Sequence, residues 1–425
     1  MKKLLIQSVT ILDPHSNYHR EVFNVLITDG KISEISKETR VYDNQTTKID
    51  AKGQYLSAGF FDLNVNFGEP GLETKEDLAS GCHAAAAGGF TGLALMPNTQ
   101  PPIHSKTEVS YLVIKAKNNL VNVYPLGCIS HNREGKELAE MFDMQHSGAI
   151  AFTDGNRPVS DAGLMSRALL YVKAFNGLIF SYAEDQNIAG KGKMNEGVMS
   201  TFLGMKGNPS LAEELMISRD LYLAEYNDSR IHFSTISTAK SVELIRKAKK
   251  KGLKITCDVA AHHLTLTEDE LEGFDSLYKV KPPLRTNKDL KALIAGLKDG
   301  TIDAIVSQHT PHEIEFKDVE FEIASYGIIG LQTALPLALQ AGLPPDMIVE
   351  KMAFAPRNIL GLPIPKVEVG NSANFIVFDP LQEWTLNENS NFSKSSNSPF
   401  MGKILKGKVN LIYNNGQYLH LKNSI

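Results

Sequence analysis

Between residues 57 and 355, short apolar runs alternate with stretches of helical periodicity. One run starts at Gly59. Others cover 90–96, 121–126, 149–152, 178–181, 230–234, 253–259 and 302–307, which makes eight. Runs of this length suit strands, and the chain between them suits crossover helices. Eight βα units over about 300 residues predict an α/β architecture, a (β/α)8 TIM-type barrel over 57–355. The helix before the second run carries a capping signal, Thr74-x-x-Asp77, and a stop at Gly88-Gly89.

The two ends have another texture. Strands are expected at 3–9, 21–27 and 31–35, separated by Asp13-Pro14 and Asp29-Gly30. Near the other terminus, 373–380 reads as a strand with a stop, 403–413 alternates, and Asn414-Asn415-Gly416 is a hairpin signal. Residues 1–56 and 356–425 therefore predict a small β-sandwich domain built from both termini. The Asn- and Ser-rich stretch 387–398 reads as a surface loop.

Composition sets limits. With 425 residues, 42% of them apolar, the chain exceeds one typical core, which fits a large and a small domain. Lys+Arg 44 against Asp+Glu 48 gives a net charge of −4. The nearest thing to a basic run, Lys247 to Lys251, reads as the solvated end of a helix, so no nucleic-acid partner is expected. Cys82, Cys128 and Cys257 are scattered and odd in number, which argues against a disulfide framework or zinc knuckle. The first residues lack the apolar length of a signal or membrane span, so a cytoplasmic location is expected, with no membrane partner.

Sites in such barrels lie at the C-terminal strand ends. Asn64, Asn66, Asn98, Asp154, Tyr182, His232 and Gln308 all fall there. Side chains two apart on a strand share a face, so Asn64 and Asn66 project together.

Asp62-Leu63-Asn64-Val65-Asn66-Phe67-Gly68-Glu69-Pro70-Gly71 resembles the dihydroorotase motif D-x-H-x-H-x-R-E-P-G of the amidohydrolase superfamily. Further matches run through 84–91, 96–99, 151–154, 183–185, 232–235, 262–264, 282–285, 300–305, 309–312 and 393–402. The resemblance implies a barrel with a small β-sandwich. In the multifunctional-complex type it also implies zinc held by four histidines and two aspartates. Here those six positions are Asn64, Asn66, Asp154, Tyr182, His232 and Gln308, so only Asp154 and His232 keep a ligand type. Gln308 stands at the position of the catalytic base, Gly68 at a substrate-clamping arginine and Lys281 at an asparagine. Asn98 and His312 occupy substrate-pocket positions.

Zinc is held by imidazole, thiolate or carboxylate, and a catalytic site needs three such ligands. Without the metal, water keeps a pKa of roughly 15.7 instead of about 7. No metal or other cofactor is therefore expected, and no catalytic residue is intact. The resemblance then points to a non-catalytic dihydroorotase-like protein of pyrimidine biosynthesis. It would be a structural or regulatory partner of aspartate transcarbamoylase, and a homo-oligomer. Two alternatives stand beside it. One is an active dihydroorotase or another zinc-dependent cyclic amidohydrolase with a divergent metal site. The other is a binder of a pyrimidine precursor.

Each singled-out residue also has a structural reading. Asn64 and Asn66 would bond neighbouring loops. His232 would pair with Asp154 or Tyr182. Asp154 and Asn98 would serve turns, and His309 and His312 would pack. Lys281 would neutralise Asp154 or take an anion.

Overall fold

The computed structural model describes residues 3–38 and 45–421. The chain opens with β1 (Lys3–Ile11), β2 (Val22–Thr28), β3 (Lys31–Ser36), β4 (Thr46–Asp50) and β5 (Tyr55–Ala58). Then come β6 (Phe60–Val65), β7 (Phe90–Leu95), β8 (Asn122–Gly127), β9 (Ala151–Phe152) and β10 (Ile179–Ser181). A two-stranded insertion, β11 (Met194–Asn195) and β12 (Gly207–Asn208), precedes β13 (Ile231–Phe233), β14 (Ile255–Ala260) and β15 (Ala304–Val306). The chain ends in β16 (Phe375–Thr385), β17 (Ile404–Asn414) and β18 (Gln417–His420).

The eight predicted runs became β6 to β10 and β13 to β15, hydrogen-bonded in that order and all parallel. The Asn66 amide donates to the His309 carbonyl at 2.8 Å, which ties the first strand to the chain just past the last and closes the barrel. Every residue of β6 and β7 is buried, as a strand covered on both faces requires. Phe61, Leu63, Ala94, Leu126, Phe180, Ala260 and Val306 form one inner cluster. The helices outside include Leu78–Ala87, Lys106–Lys115, Ala162–Lys173, Ser210–Asn227, Ala239–Lys250 and Asn287–Lys298.

The first of these helices is capped by Asp77, which accepts from the Ser80 amide while Ser80 reaches back to Asp77. That corrects the expected Thr74–Asp77 box: Asp77 is the cap itself, because the chain up to Glu76 is held as a loop by the Gly68 amide bond to the Glu76 carbonyl.

The termini share one sheet, ordered β18-β17-β16-β5-β1-β2-β3, with β4 on the side of β1. β5 was not foreseen, yet it is the join, parallel to β1 and antiparallel to β16. The β17–β18 hairpin turns at Asn415 and Gly416, both at positive φ (51° and 70°), as a two-residue turn of this hand demands. Phe60 links this sheet to the barrel, its ring 5.8 Å from Phe90 and 6.3 Å from Phe378. Each fully buried phenylalanine stabilises the join by roughly 2–3 kcal/mol.

Residues 387–398 form the expected loop, exposed at 387–389, 394 and 396, but its second half is anchored in the barrel rim. Ser395, Asn397 and Ser398 are buried. Their polar groups bond into the barrel rim: Ser393 and the Lys394 amide to Glu76, Ser395 to the Lys75 carbonyl, and Asn397 Nδ2 to the carbonyls of Thr310 and Gly327. Hydroxyls and amides in such a segment satisfy backbone groups at no apolar cost, a composition that reads as solvated only when the partners are unseen. Among the described residues no helix is long and apolar enough to cross a membrane.

Candidate site at the barrel mouth

β6 delivers Asn64 and Asn66 to the C-terminal end of the barrel. There they line an inner pocket of about 50 Å³ with Asn98, Tyr182, Lys281, Gln308 and Tyr326. Asn64 Nδ2 donates to Ser234 Oγ (3.3 Å) and Thr235 Oγ1 (3.2 Å). Asn66 Nδ2 donates to the His309 carbonyl and Thr310 Oγ1, both at 3.1 Å, and its Oδ1 accepts from Asn98. Gln308, at φ 49°, donates Nε2 to the Lys281 carbonyl at 2.9 Å. Burial, then the neighbouring Glu184, pushes the Tyr182 phenol well above its ordinary pKa, so it stays protonated and donates to Glu184 at 3.3 Å.

Asp154 and His232 lie behind this wall. Asp154 Oδ1 accepts the amides of Ile129 (2.9 Å) and Ser130 (3.0 Å), and Oδ2 accepts the Ser130 hydroxyl. Burial lifts its pKa above the usual carboxylate value. His232 is fully buried, with Nδ1 2.8 Å from Thr256 Oγ1 and Nε2 2.9 Å from Asp258 Oδ2. Its partner is therefore neither Asp154 nor Tyr182. Asp258 sits on the adjacent strand β14, two residues beyond Thr256, which faces His232 in register. Lys281 likewise neutralises Glu184 (2.7 Å) and not Asp154, between the rings of Tyr182 and Tyr326 at 5.7 and 5.9 Å.

Gly68 shows how the loop has closed over the position of the expected arginine. A Cβ there would lie 1.8 Å from the Leu72 carbonyl oxygen, which its own backbone faces through the Leu72 amide bond to Gly68. His309 is structural: Nδ1 accepts the Gly330 amide and Nε2 faces Glu76 at 3.4 Å. Burial and nearby Lys75 push His312 down to about 4, so it is neutral at pH 7; Nε2 donates to the Tyr326 carbonyl. His312 Nδ1 and Asn98 Oδ1 are buried without a protein partner.

Outside the inner pocket a vestibule of about 490 Å³ is lined by Asn98, Lys75, Arg133, Arg157, Lys193 and His312, with no carboxylate in its wall. The mouth is thus a neutral, hydrogen-bonded floor beneath a cationic rim.

The donor set does not fit zinc. Asn64, Asn66 and Gln308 present amides and Tyr182 a protonated phenol, while Asp154 and His232 spend their acceptors on protein. Among the described residues no three His, Cys, Asp or Glu side chains converge as a metal-holding group. Sequence reasoning missed Glu184 and Asp258. The signal was there for Asp258: on a strand, the residue two beyond the one facing a buried histidine shares its face.

A sequence model described as dihydro-orotase-like matches residues 53–241. A protein named dihydroorotase from Ruminiclostridium cellulolyticum is 43% identical, covering 96% of each chain. Another of that name from Acetivibrio thermocellus is 42% identical over 97% of this chain and 98% of its own. The fold is shared with an L-hydantoinase (dihydropyrimidinase) from Arthrobacter aurescens, at TM-score 0.86 and 24% identity, covering 99% of this chain and 96% of that one. Likeness of this extent, along nearly the full length of both partners, places the chain in the dihydroorotase family of amidohydrolase-type barrels.

Proposed function

We propose that this family member does not hydrolyse cyclic amides and serves pyrimidine biosynthesis as a structural or regulatory partner of aspartate transcarbamoylase, itself assembled as a homo-oligomer. One observation carries the reading: the two ionisable side chains left from the zinc set are fully engaged by protein, Asp154 by Ile129 and Ser130, His232 by Thr256 and Asp258. Freeing either would leave a buried polar group unpaired, at about 1–3 kcal/mol. Hydroxide generation at neutral pH has no activator here, and Gln308 cannot take up a proton.

Zinc-supplemented protein should carry far less than one metal per chain by elemental analysis and show no turnover of dihydroorotate or carbamoyl aspartate. With aspartate transcarbamoylase it should co-elute on gel filtration at micromolar concentration. Separate elution sinks the partnership.

The relatives named dihydroorotase, 42–43% identical along 95–98% of this chain, favour a second reading, an active cyclic amidohydrolase with a divergent metal site. Stoichiometric zinc together with turnover would establish it. The cationic vestibule and the unpartnered Asn98 Oδ1 and His312 Nδ1 favour a third element, recognition of an anionic pyrimidine precursor without turnover. A rise in melting temperature with orotate, dihydroorotate or carbamoyl aspartate, and no product, would reveal it.

A further inference from the structure

The other end of the barrel holds a larger space. Where β6, β7 and β8 begin, a cleft of about 730 Å³ lies between the barrel bottom, the 362–366 segment and the turns of the terminal sheet. That is the size of a small-molecule site.

Arg357 lies in its wall, only 4% exposed. Nη1 donates to the carbonyls of Gly59 (2.7 Å) and Ala353 (2.6 Å), and Nη2 to Thr91 Oγ1 (2.9 Å). A guanidinium has five N–H groups. Those three bonds leave Nε–H and the second Nη2–H without an acceptor among the described residues, and no carboxylate among them raises the Arg357 pKa. Burial pushes the Arg357 pKa down to about 10, the response of a cation held away from water without a counter-charge. A charge left so is costly, and an arriving anion would relieve it.

The rest of the wall narrows the chemistry. The Phe61 ring lies 5.5 Å from the guanidinium carbon, and the Tyr124 ring 5.6 Å from Phe61. Leu362, Pro363, Ile364 and Pro365 supply an apolar side, and Asp29 and Lys366 bring one charge of each sign to the wall. One deep cation with two remaining donors, an apolar side at 362–365 with Phe61 and Tyr124, and another side of asparagines (Asn122, Asn371, Asn374, Asn414, Asn415) suit a monoanion that accepts two hydrogen bonds and carries an apolar body.

We propose that this cleft binds a small organic carboxylate with an apolar body, its oxygens on Arg357 and its body against Phe61, Tyr124 and the 362–365 segment. The occupant is distinct from anything held at the mouth.

Calorimetry and thermal shift with benzoate, acetate and inorganic phosphate at matched ionic strength test it. Benzoate should bind saturably at one site per chain, at least tenfold tighter than acetate or phosphate. Ser372→Trp, an exposed wall position remote from Arg357's hydrogen bonds, should weaken benzoate at least tenfold by filling the cleft. Arg357→Lys should do the same by removing the fork while keeping the charge; if it does not fold, Ser372→Trp decides alone. Benzoate indistinguishable from chloride, phosphate equal to benzoate, or undiminished binding in Ser372→Trp would each overturn the assignment.

Discussion

At the inner mouth, Asp154, His232 and Lys281 each meet a protein partner, and about 50 Å³ remains between the side chains. At the bottom, Arg357 meets only carbonyls and a hydroxyl, beside about 730 Å³. Barrels of this kind keep their chemistry at the mouth and their stability at the bottom. Here the old ligand positions at the mouth are tied into protein, though Asn98 Oδ1 and His312 Nδ1 stay unpartnered, while the bottom keeps a cation without a counter-charge. The difference teaches that a fold fixes where a site can be, and side-chain bookkeeping decides where one still is.

The sharpest way to break the comparison is Gly68→Arg. If the rim has closed, a side chain at 68 strikes the Leu72 carbonyl and forces the 68–76 loop to rebuild. A loss of about 3 kcal/mol or more is expected from urea unfolding midpoints. An unchanged midpoint would mean that the mouth can still open there.

Acid probes the mouth next. Burial pushes His263 down to about 4, and its Nε2 donates to the Pro282 carbonyl at 3.1 Å. The unfolded chain therefore binds a proton near pH 6.5 that the folded chain refuses until about 4. Stability is full above that window and falls as the pH drops through it. The loss should reach on the order of 2–3 kcal/mol. Melting curves from pH 7 to 4 should show the slope, to which His262 and His312 add in the same sense, and His263→Gln should remove only the His263 share of it.

At the bottom, Thr91→Val removes the acceptor for Arg357 Nη2 and the donor to Asn374 Oδ1. About 1–2 kcal/mol should be lost. A loss of several kcal/mol would make Arg357 a structural keystone and weaken the contrast drawn above. The smallest effect is at Lys281 and Glu184. Lys281 is partly exposed, so a double-mutant cycle with Lys281→Met and Glu184→Gln should give a coupling of about 1 kcal/mol or less.

The barrel was legible in the sequence because strands buried on both faces write unbroken apolar runs, as in Phe60–Val65 and Phe90–Leu95. The terminal strands β4 and β5 were not, since one is polar and half-exposed and the other only four residues long. Of the ten positions read as one site, Asn64, Asn66, Asn98, Tyr182, Lys281 and Gln308 line the inner pocket, Gly68 and His312 line the vestibule, and Asp154 and His232 lie behind the wall. Most of their partners were hidden by distance along the chain: Asn64 meets Ser234 across 170 residues and Asn66 meets Thr310 across 244. The bottom cleft was not foreseen, because its pieces lie far apart in the chain: the starts of three strands, the segments 362–366 and 371–374, and turns of the terminal sheet.

The stitching of Ser393, Lys394 and Asn397 onto Glu76, Thr310 and Gly327 has a consequence for biosynthesis. The ribosome releases the barrel strands well before the segment that fastens their rim, and β5 waits as long for its partner β16. The nascent chain therefore carries an unfinished rim and an open sheet edge until its last tenth emerges. Ribosome-bound chains halted before residue 390 would be the natural clients of a chaperone.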